Sequence, residues 1–155
     1  MCWKGMGDTM PQAQETALNP AGEKHEVLIV DDSEDMLWAI GNVLELAGLS
    51  VDAVATGREA IDRLRESPDI KLVILDSMLP DKSGLSVLTQ LKSNGCTASV
   101  IAISAQEDLG DSFLKARAFA FMGKPFDIRE LVRLCRHALN GNKPQVDAKT
   151  GVGAQ

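Results

Sequence analysis

The chain has no excess of positive charge. Its 16 lysines and arginines stand against 22 aspartates and glutamates, so the formal net charge is −6 and the isoelectric point is near 4.9. A surface that neutralises the phosphates of a nucleic acid needs a cluster of basic side chains. We therefore expect no nucleic-acid partner.

Cysteine and histidine are also scarce. Cys2, Cys96 and Cys135 are odd in number and widely spaced, and His25 and His137 lie far apart. This spacing argues against a disulfide framework and against a zinc site made of cysteine and histidine. It suits a reducing compartment, and we predict a cytoplasmic protein.

Long apolar runs are missing as well. No run approaches the roughly 20 residues that span a bilayer. The first residues, MCWKGMGDTMPQAQ, lack the apolar centre of a signal peptide. We expect no membrane partner.

The ends of the chain differ in composition from its middle. Residues 1–25 are rich in Gly, Pro, Gln, Thr and Met without any period, and residues 142–155 read the same way. Both are predicted to be disordered extensions. Residues 26–141 are predicted to form one domain, which suits a chain of 155 residues.

Two patterns alternate along that domain. Runs of branched apolar residues cover 27–30, 51–55, 72–75, 99–104 and, more weakly, 119–122. Helical patterns follow them at 33–47, 57–66, 84–94, 107–118 and 127–140. Such repeated units predict parallel strands with crossover helices, and continuously apolar strands predict a sheet covered on both faces. The predicted fold is a three-layer, doubly wound α/β domain with a five-stranded parallel sheet.

Polar side chains follow four of the five predicted strands. Asp31 and Asp32 follow the first strand, Asp76 the third, Ser104 ends the fourth, and Lys124 comes just after the fifth. In this fold class ligands bind beyond the carboxyl ends of the strands, so we expect these side chains to meet there.

The predicted chemistry follows from these residue types. Clustered carboxylates raise one another's pKa unless a cation joins them, and Mg²⁺ is a cation that carboxylates bind. A lysine and a hydroxyl beside them would receive a more negative group. The pattern predicts a phosphoryl acceptor in which Asp76 is the nucleophile.

Each residue alone has a simpler structural interpretation. Asp31 or Asp32 could cap the helix that follows. Asp76 could be a turn residue, and Lys124 could be a solvated charge. Their expected meeting at one edge of the sheet favours the functional interpretation.

Four motifs in order resemble a known family. They are V-D-D at 30–32, L-D-x-x-L-P-x-x-x-G at 75–84, S-A at 104–105 and A-x-A-x-x-F-x-x-K-P-F at 116–126. Together they resemble the receiver domain of bacterial two-component response regulators, of the single-domain type of the chemotaxis regulators. The resemblance covers the whole predicted domain and implies the flavodoxin-like strand order 2-1-3-4-5.

The resemblance also implies the function of individual residues. Asp76 would accept a phosphoryl group from a phosphohistidine on a sensor histidine kinase or a histidine phosphotransfer protein. Asp31, Asp32, Asp76 and the main-chain carbonyl of Met78 would hold Mg²⁺. Lys124 would pair with the phosphoryl oxygens. Such a chain is a signalling receiver rather than an enzyme, although it assists its own phosphorylation and dephosphorylation.

The response to phosphorylation is implied in the same way. Ser104 would bind the phosphoryl group and draw its loop inward, and Phe121 would turn from exposed to buried. The Lys124–Pro125 bond would be cis. The changed face would bind a downstream protein target, and we expect a monomer or weak dimer. Because the fourteen residues after 141 are neither basic nor periodic, we expect no DNA-binding output domain.

Three residues stand out against that pattern. Arg117 occupies a bend where the family often has glycine, and we expect either a wider bend or strain there. Met78 lies where a side chain flanks the attacking water, and we expect slower dephosphorylation than in a Met78→Asn variant. Trp38 lies opposite the apolar stripe of the first helix. The resemblance implies that this helix is the docking face for the kinase, so Trp38 and Leu37 are candidate contacts. Alternatively, Trp38 is covered by the N-terminal extension or merely exposed.

Three other functions remain as alternatives. A receiver-like module that binds partners without phosphorylation is one. A phosphatase using an aspartyl phosphate would need a second aspartate where Met78 stands. A flavodoxin-like carrier is possible on fold alone, but the acidic pocket would repel the phosphate of its cofactor.

Overall fold

A computed structural model describes residues 25–141 and 149–150. The strands are β1 (Val27–Val30), β2 (Val51–Val54), β3 (Leu72–Asp76), β4 (Ser99–Ser104), β5 (Ala120–Gly123) and β6 (Lys149–Thr150). The helices are α1 (Glu34–Leu46), α2 (Gly57–Glu66), α3 (Gly84–Ser93), α4 (Gly110–Lys115) and α5 (Ile128–Leu139). Within this part of the chain, no helix combines the length and the apolar character that a bilayer crossing requires.

The strands form one parallel sheet in the order β2-β1-β3-β4-β5-β6. The predicted order 2-1-3-4-5 is confirmed for the first five strands. Each pair of consecutive strands is separated by a helix, as the alternating sequence pattern requires. The parallel direction brings the carboxyl ends of β1, β3, β4 and β5 to the same edge.

The sixth strand was not predicted. Lys149 and Thr150 pair with Phe121 and Met122 of β5, so the prediction of disorder over 142–155 is wrong at these two residues. The outer edge of β5 offers backbone amide and carbonyl groups with which an extended segment can pair. The rest of 142–155 lies outside the described residues.

The predicted N-terminal extension, 1–25, is described only at its last residue. The ring nitrogen Nδ1 of His25 lies 3.1 Å from the hydroxyl oxygen of Ser50. Since Ser50 directly precedes β2, His25 belongs to the edge of the domain. Residues 1–24 lie outside the described part of the chain.

The sheet separates two apolar clusters. Val27 and Ile29 of β1 belong to the cluster under α1 and α5, whereas Leu28 and Val30 belong to the cluster under α2, α3 and α4. All four side chains are buried. Alternate residues of a strand point to opposite faces, so a strand covered on both sides must be apolar throughout. The predicted three layers are confirmed.

The fourth helical pattern differs from its prediction over 107–118. A short 3₁₀ turn, Glu107–Leu109, leads into the six-residue helix α4. Gly110, which has low helix propensity, stands at their junction. Arg117 ends the helical region with a positive φ of 75°.

Arg117 occupies a position where α1, α3 and α5 have glycine. The amide of Arg117 bonds the carbonyl of Leu114 at 2.9 Å, and the amide of Ala118 bonds that of Phe113 at 3.0 Å. This is the Schellman arrangement, whose left-handed residue is usually glycine. Gly48 and Gly95 end α1 and α3 in the same way, with φ of 91° and 81°. The expected strain at Arg117 is thus present in the backbone.

We predict that Arg117→Gly raises the free energy of unfolding by roughly 1 kcal/mol, because a side chain in the left-handed region costs about 1–2 kcal/mol and glycine loses part of that gain as chain entropy. The matched reverse change is Gly95→Arg, since open space surrounds a Cβ at Gly95. That variant should lose stability by a similar amount. Urea unfolding curves measure both, and an unchanged or lower midpoint for Arg117→Gly would contradict the prediction.

Candidate functional site

The register of the sheet explains why the acids meet. Val30 of β1 pairs with Leu75 of β3, so Asp31 and Asp76 each lie one residue beyond a paired position. The carboxylate oxygens of Asp31, Asp32 and Asp76 lie within 4.8 Å of one another. The structure therefore brings together the three carboxylates that the sequence places at strand ends, and this cluster could hold a metal ion.

Burial makes the cluster costly to ionise. Asp31 and Asp76 are only 5% and 7% exposed, whereas Asp32 is exposed. Burial raises the pKa of Asp31 above its ordinary value, and the neighbouring Asp76 adds to the rise. The amide of Ser33, which donates to Asp31 Oδ1 at 2.9 Å, opposes this effect in part. A cation beside Asp31 would relieve the remaining cost.

Lys124 brings one positive charge to the cluster. Its Nζ lies 2.8 Å from Asp76 Oδ1 and 3.6 Å from Asp31 Oδ2. Burial alone would lower the pKa of Lys124, but the hydrogen bond to Asp76 and the attraction of Asp31 outweigh it and raise that pKa. Lys124 is therefore charged at neutral pH. Three carboxylates against one ammonium leave a negative site that fits a divalent cation with oxygen ligands.

The backbone near Lys124 is fixed at both sides. Its amide donates to the carbonyl of Ser104 at 2.7 Å, which continues the pairing of β4 with β5 by one residue. The following Lys124–Pro125 bond is cis, as the resemblance implied.

The alternative interpretations of the acids can now be compared with the structure. Ser33, not Asp31 or Asp32, is the N-cap of α1, because its hydroxyl accepts from the amide of Met36 at 3.2 Å. Asp76 does make a turn contact, since its Oδ2 accepts from the amide of Met78 at 3.2 Å. The turn contact therefore coexists with the Lys124 contact on the other oxygen of Asp76. The position of the Met78 carbonyl relative to a metal stays a prediction.

Gly84 is packed against the backbone of Asp76. The amide of Gly84 donates to the carbonyl of Ser77 at 2.8 Å, and a Cβ at Gly84 would lie 2.2 Å from the carbonyl oxygen of Asp76. An isolated bridge between Met78 and Ser83 closes the same loop. Only glycine allows α3 to start this close to the end of β3.

Ser104 ends β4 with a fully buried side chain. Its hydroxyl oxygen accepts from the amide of Gln106 at 2.8 Å and lies 2.7 Å from the hydroxyl oxygen of Ser77. Ser77 is 5% exposed, and sequence reasoning missed it. The one sequence signal for Ser77 was a polar residue directly after Asp76. In the structure the pairing of β3 with β4 continues there, because the Ser77 amide donates to the carbonyl of Ile103.

Phe121 is buried in this structure. Its side chain is 3% exposed, and its ring stacks on that of Phe113 with centroids 5.9 Å apart. The exposed position that the resemblance implied before phosphorylation is therefore not observed. An aromatic ring without a hydroxyl gains from complete burial, and Phe113 of α4 provides the apolar partner.

The candidate docking residues differ in exposure. Trp38 is 65% exposed on α1, whereas Leu37 is half-buried and packs against the cluster under α1 and α5. Leu46, near the end of the same helix, is 81% exposed and was not singled out from the sequence. Trp38 is thus the more accessible of the two predicted contacts.

Comparison with protein-family models identifies the family of this chain. The family model of the response regulator receiver domain matches residues 27–136. This chain belongs to that family. The match begins at the first residue of β1 and ends within α5, so it includes every element that carries the site.

Curated relatives of this receiver are longer proteins. The uncharacterized transcriptional regulatory protein YkoG of Bacillus subtilis is 37% identical over 127 residues, which cover 79% of this chain and 55% of YkoG. The DNA-binding transcriptional regulator NtrC of Klebsiella pneumoniae is 34% identical over 120 residues, covering 76% of this chain and 25% of NtrC. The match thus spans about half the length of YkoG and a quarter of that of NtrC.

Solved structures of receiver domains share the fold. The CheY-like receiver domain protein of Methanospirillum hungatei superposes with a TM-score of 0.70 at 27% identity, covering 76% of this chain and 95% of its own. A receiver domain protein of Clostridium thermocellum gives a TM-score of 0.71 at 26% identity, with the same coverage of both chains. The receiver is a signalling module of two-component systems.

We predict that Gly84→Ala destabilises the receiver by at least about 2 kcal/mol, because the added methyl group would collide with backbone that cannot move without displacing Asp76. The matched control is Gly123→Ala, whose Cβ would meet nothing closer than 3.4 Å, in the side chain of Glu107. Urea unfolding measures both. Equal losses in the two variants would contradict the prediction.

Proposed function

We propose that this receiver accepts a phosphoryl group on Asp76 from a phosphohistidine of a sensor histidine kinase or a histidine phosphotransfer protein. The observation that supports this most directly is the 2.8 Å contact between Lys124 Nζ and Asp76 Oδ1 inside a cluster of three carboxylates. A partly buried lysine held against one acid, with two further acids beside it, suits a site that receives a dianionic group.

The proposed transfer uses few protein groups. A carboxylate oxygen of Asp76 attacks phosphorus, the bond from phosphorus to the imidazole nitrogen breaks, and its electron pair stays on that nitrogen. Lys124 and the Met78 amide each hold one oxygen of Asp76 and so fix the orientation of the carboxylate. After transfer, Lys124 can pair with the phosphoryl oxygens instead.

Mg²⁺ is the cofactor that we propose for this site. Asp31, Asp32, Asp76 and the main-chain carbonyl of Met78 would hold it. When bound, it neutralises negative charge on the oxygens of the transferred group. The surplus of two negative charges among these acids and Lys124 supports a divalent ion.

The proposed output is a change of protein binding. Ser104 forms the switch, and a downstream protein target reads the changed face. We further propose a cytoplasmic protein that is a monomer or weak dimer.

The experiment that tests the function is phosphorylation by a small acyl phosphate with Mg²⁺, read by intact mass. We expect the wild type to gain one phosphoryl group and Asp76→Asn to gain none, because the amide is no nucleophile for phosphorus. Asp69→Asn, which changes an exposed acid before β3, should behave as the wild type does. No mass gain in the wild type would instead favour a receiver-like module that works without phosphorylation.

We predict that Met78→Asn shortens the life of the aspartyl phosphate several-fold. The exposed, apolar Met78 side chain follows Asp76 by two residues and offers no hydrogen bond to an attacking water, whereas an amide does. Met78→Leu keeps the apolar character and should remain slow. The loss of phosphate is followed by mass after removal of the donor, and equal or slower loss from Met78→Asn would contradict the prediction.

We predict that Trp38→Ala slows transfer from a histidine kinase at least about tenfold, as loss of an interface anchor does. Phosphorylation by a small acyl phosphate should not change, because Trp38 lies outside the acidic cluster. Leu46→Ala is the matched control, since Leu46 is the other large exposed apolar side chain of α1 among the described residues. Unchanged kinase transfer in Trp38→Ala would remove Trp38 from the docking surface.

A further inference from the structure

Two buried hydroxyl groups lie side by side behind the acidic cluster. The oxygens of Ser77 and Ser104 are 2.7 Å apart, and the two residues are 5% and 0% exposed. Ser77 directly follows Asp76, and its amide donates to the carbonyl of Ile103 at 3.0 Å. The backbone pairing of β3 with β4 therefore fixes the positions from which the two hydroxyls meet.

The Ser104 hydroxyl is hydrogen-bonded to Ser77 and to the backbone of Gln106. A serine hydroxyl has one proton and two acceptor positions. The amide of Gln106 donates to one acceptor position of Ser104 and the hydroxyl of Ser77 donates to the other, so the two bonds together fix the position of the Ser104 oxygen. Within 25–141, no hydrogen bond of this structure joins the Ser104 hydroxyl to Asp76 or Lys124.

We propose that Ser77 is a positioning residue that holds the Ser104 hydroxyl in its resting position, so that Ser104 gives up the Ser77 bond when it moves toward the phosphoryl group. This inference rests on the proposed function of Asp76. On this view, phosphorylation is followed by an exchange of partners at Ser104, and Ser77 sets how readily the exchange occurs.

The same exchange would act on the loop that follows β4. The Ser104 hydroxyl anchors the amide of Gln106, and the Gln106 carbonyl accepts from Leu109 at 3.1 Å in the 3₁₀ turn. A movement of Ser104 therefore changes the anchor of the segment that leads into α4. Phe113 of that helix stacks on Phe121, so the segment is connected to the buried ring of β5.

The expected size of the effect follows from the worth of one hydrogen bond. A hydrogen bond between neutral groups contributes a modest net amount to stability. Ser77→Ala removes the bond that holds Ser104 in place but leaves the Gln106 contact of Ser104 intact. The phosphorylated arrangement should become easier to reach by about threefold to tenfold.

Beryllofluoride, a non-covalent mimic of the phosphoryl group, provides the test. Its affinity with saturating Mg²⁺ is measured by calorimetric titration of the full chain. The four proteins are the wild type, Ser77→Ala, Ser104→Ala and the double variant. We expect Ser77→Ala to bind about threefold to tenfold more tightly than the wild type, and we expect no gain from Ser77→Ala when Ser104 is already alanine.

The coupling distinguishes positioning from a general change in packing. The inference is overturned if Ser77→Ala raises the affinity for beryllofluoride even when Ser104 is alanine. It is also overturned if Ser77→Ala does not raise that affinity when Ser104 is present. Ser77→Cys is a second variant, in which a thiol fills the space of the hydroxyl but is only a weak donor. It must also bind beryllofluoride more tightly than the wild type. Absence of beryllofluoride binding by the wild type overturns the proposed function and this inference with it, whereas binding without coupling overturns the inference alone.

Discussion

The contact between Lys124 and Asp76 is the interaction on which the site depends. It joins the ends of β5 and β3 across the intervening strand β4, and it compensates one of three carboxylates at a largely buried position. Lys124 also attracts Asp31 at 3.6 Å, but one ammonium group does not neutralise three carboxylates, and burial raises the pKa of Asp31. A receiver whose own basic side chains neutralised all three carboxylates would be more stable, but its site would no longer attract a divalent ion.

The fold has to keep three carboxylates close together although only one ammonium group faces them. Pairing of β1 with β3 up to Val30 and Leu75 fixes the spacing of Asp31 and Asp76, and apolar packing on both faces keeps the strands in place. The loop after Asp76 is fixed as firmly, because Gly84 brings the start of α3 against the carbonyl of Asp76. The site is thus rigid where the acids stand, and the exposed Met78 lies in the loop that borders it.

Much of this could be predicted from the sequence because strands and strand ends leave local signals. The apolar run before Asp76 indicated both a buried strand and the edge at which it stops. The junction at Gly110 was missed, since a helical period continues across it. β6 was missed because two residues carry no period and pair only where an edge strand is available. Ser77 was missed because a single serine is uninformative until its partner across the sheet is known.

Phe121 and Ser104 differ in how far their arrangement depends on a phosphoryl group. Phe121 is already packed on Phe113, and as a phenylalanine it has no polar atom that would favour an exposed position. Burial of such a ring is favourable whether or not a phosphoryl group is present. The hydroxyl of Ser104, by contrast, can change its partner when the phosphoryl group offers a strong acceptor. Under the two proposals, the phosphoryl group therefore acts first on Ser104, and the strength of the Ser77 contact determines how readily the loop moves.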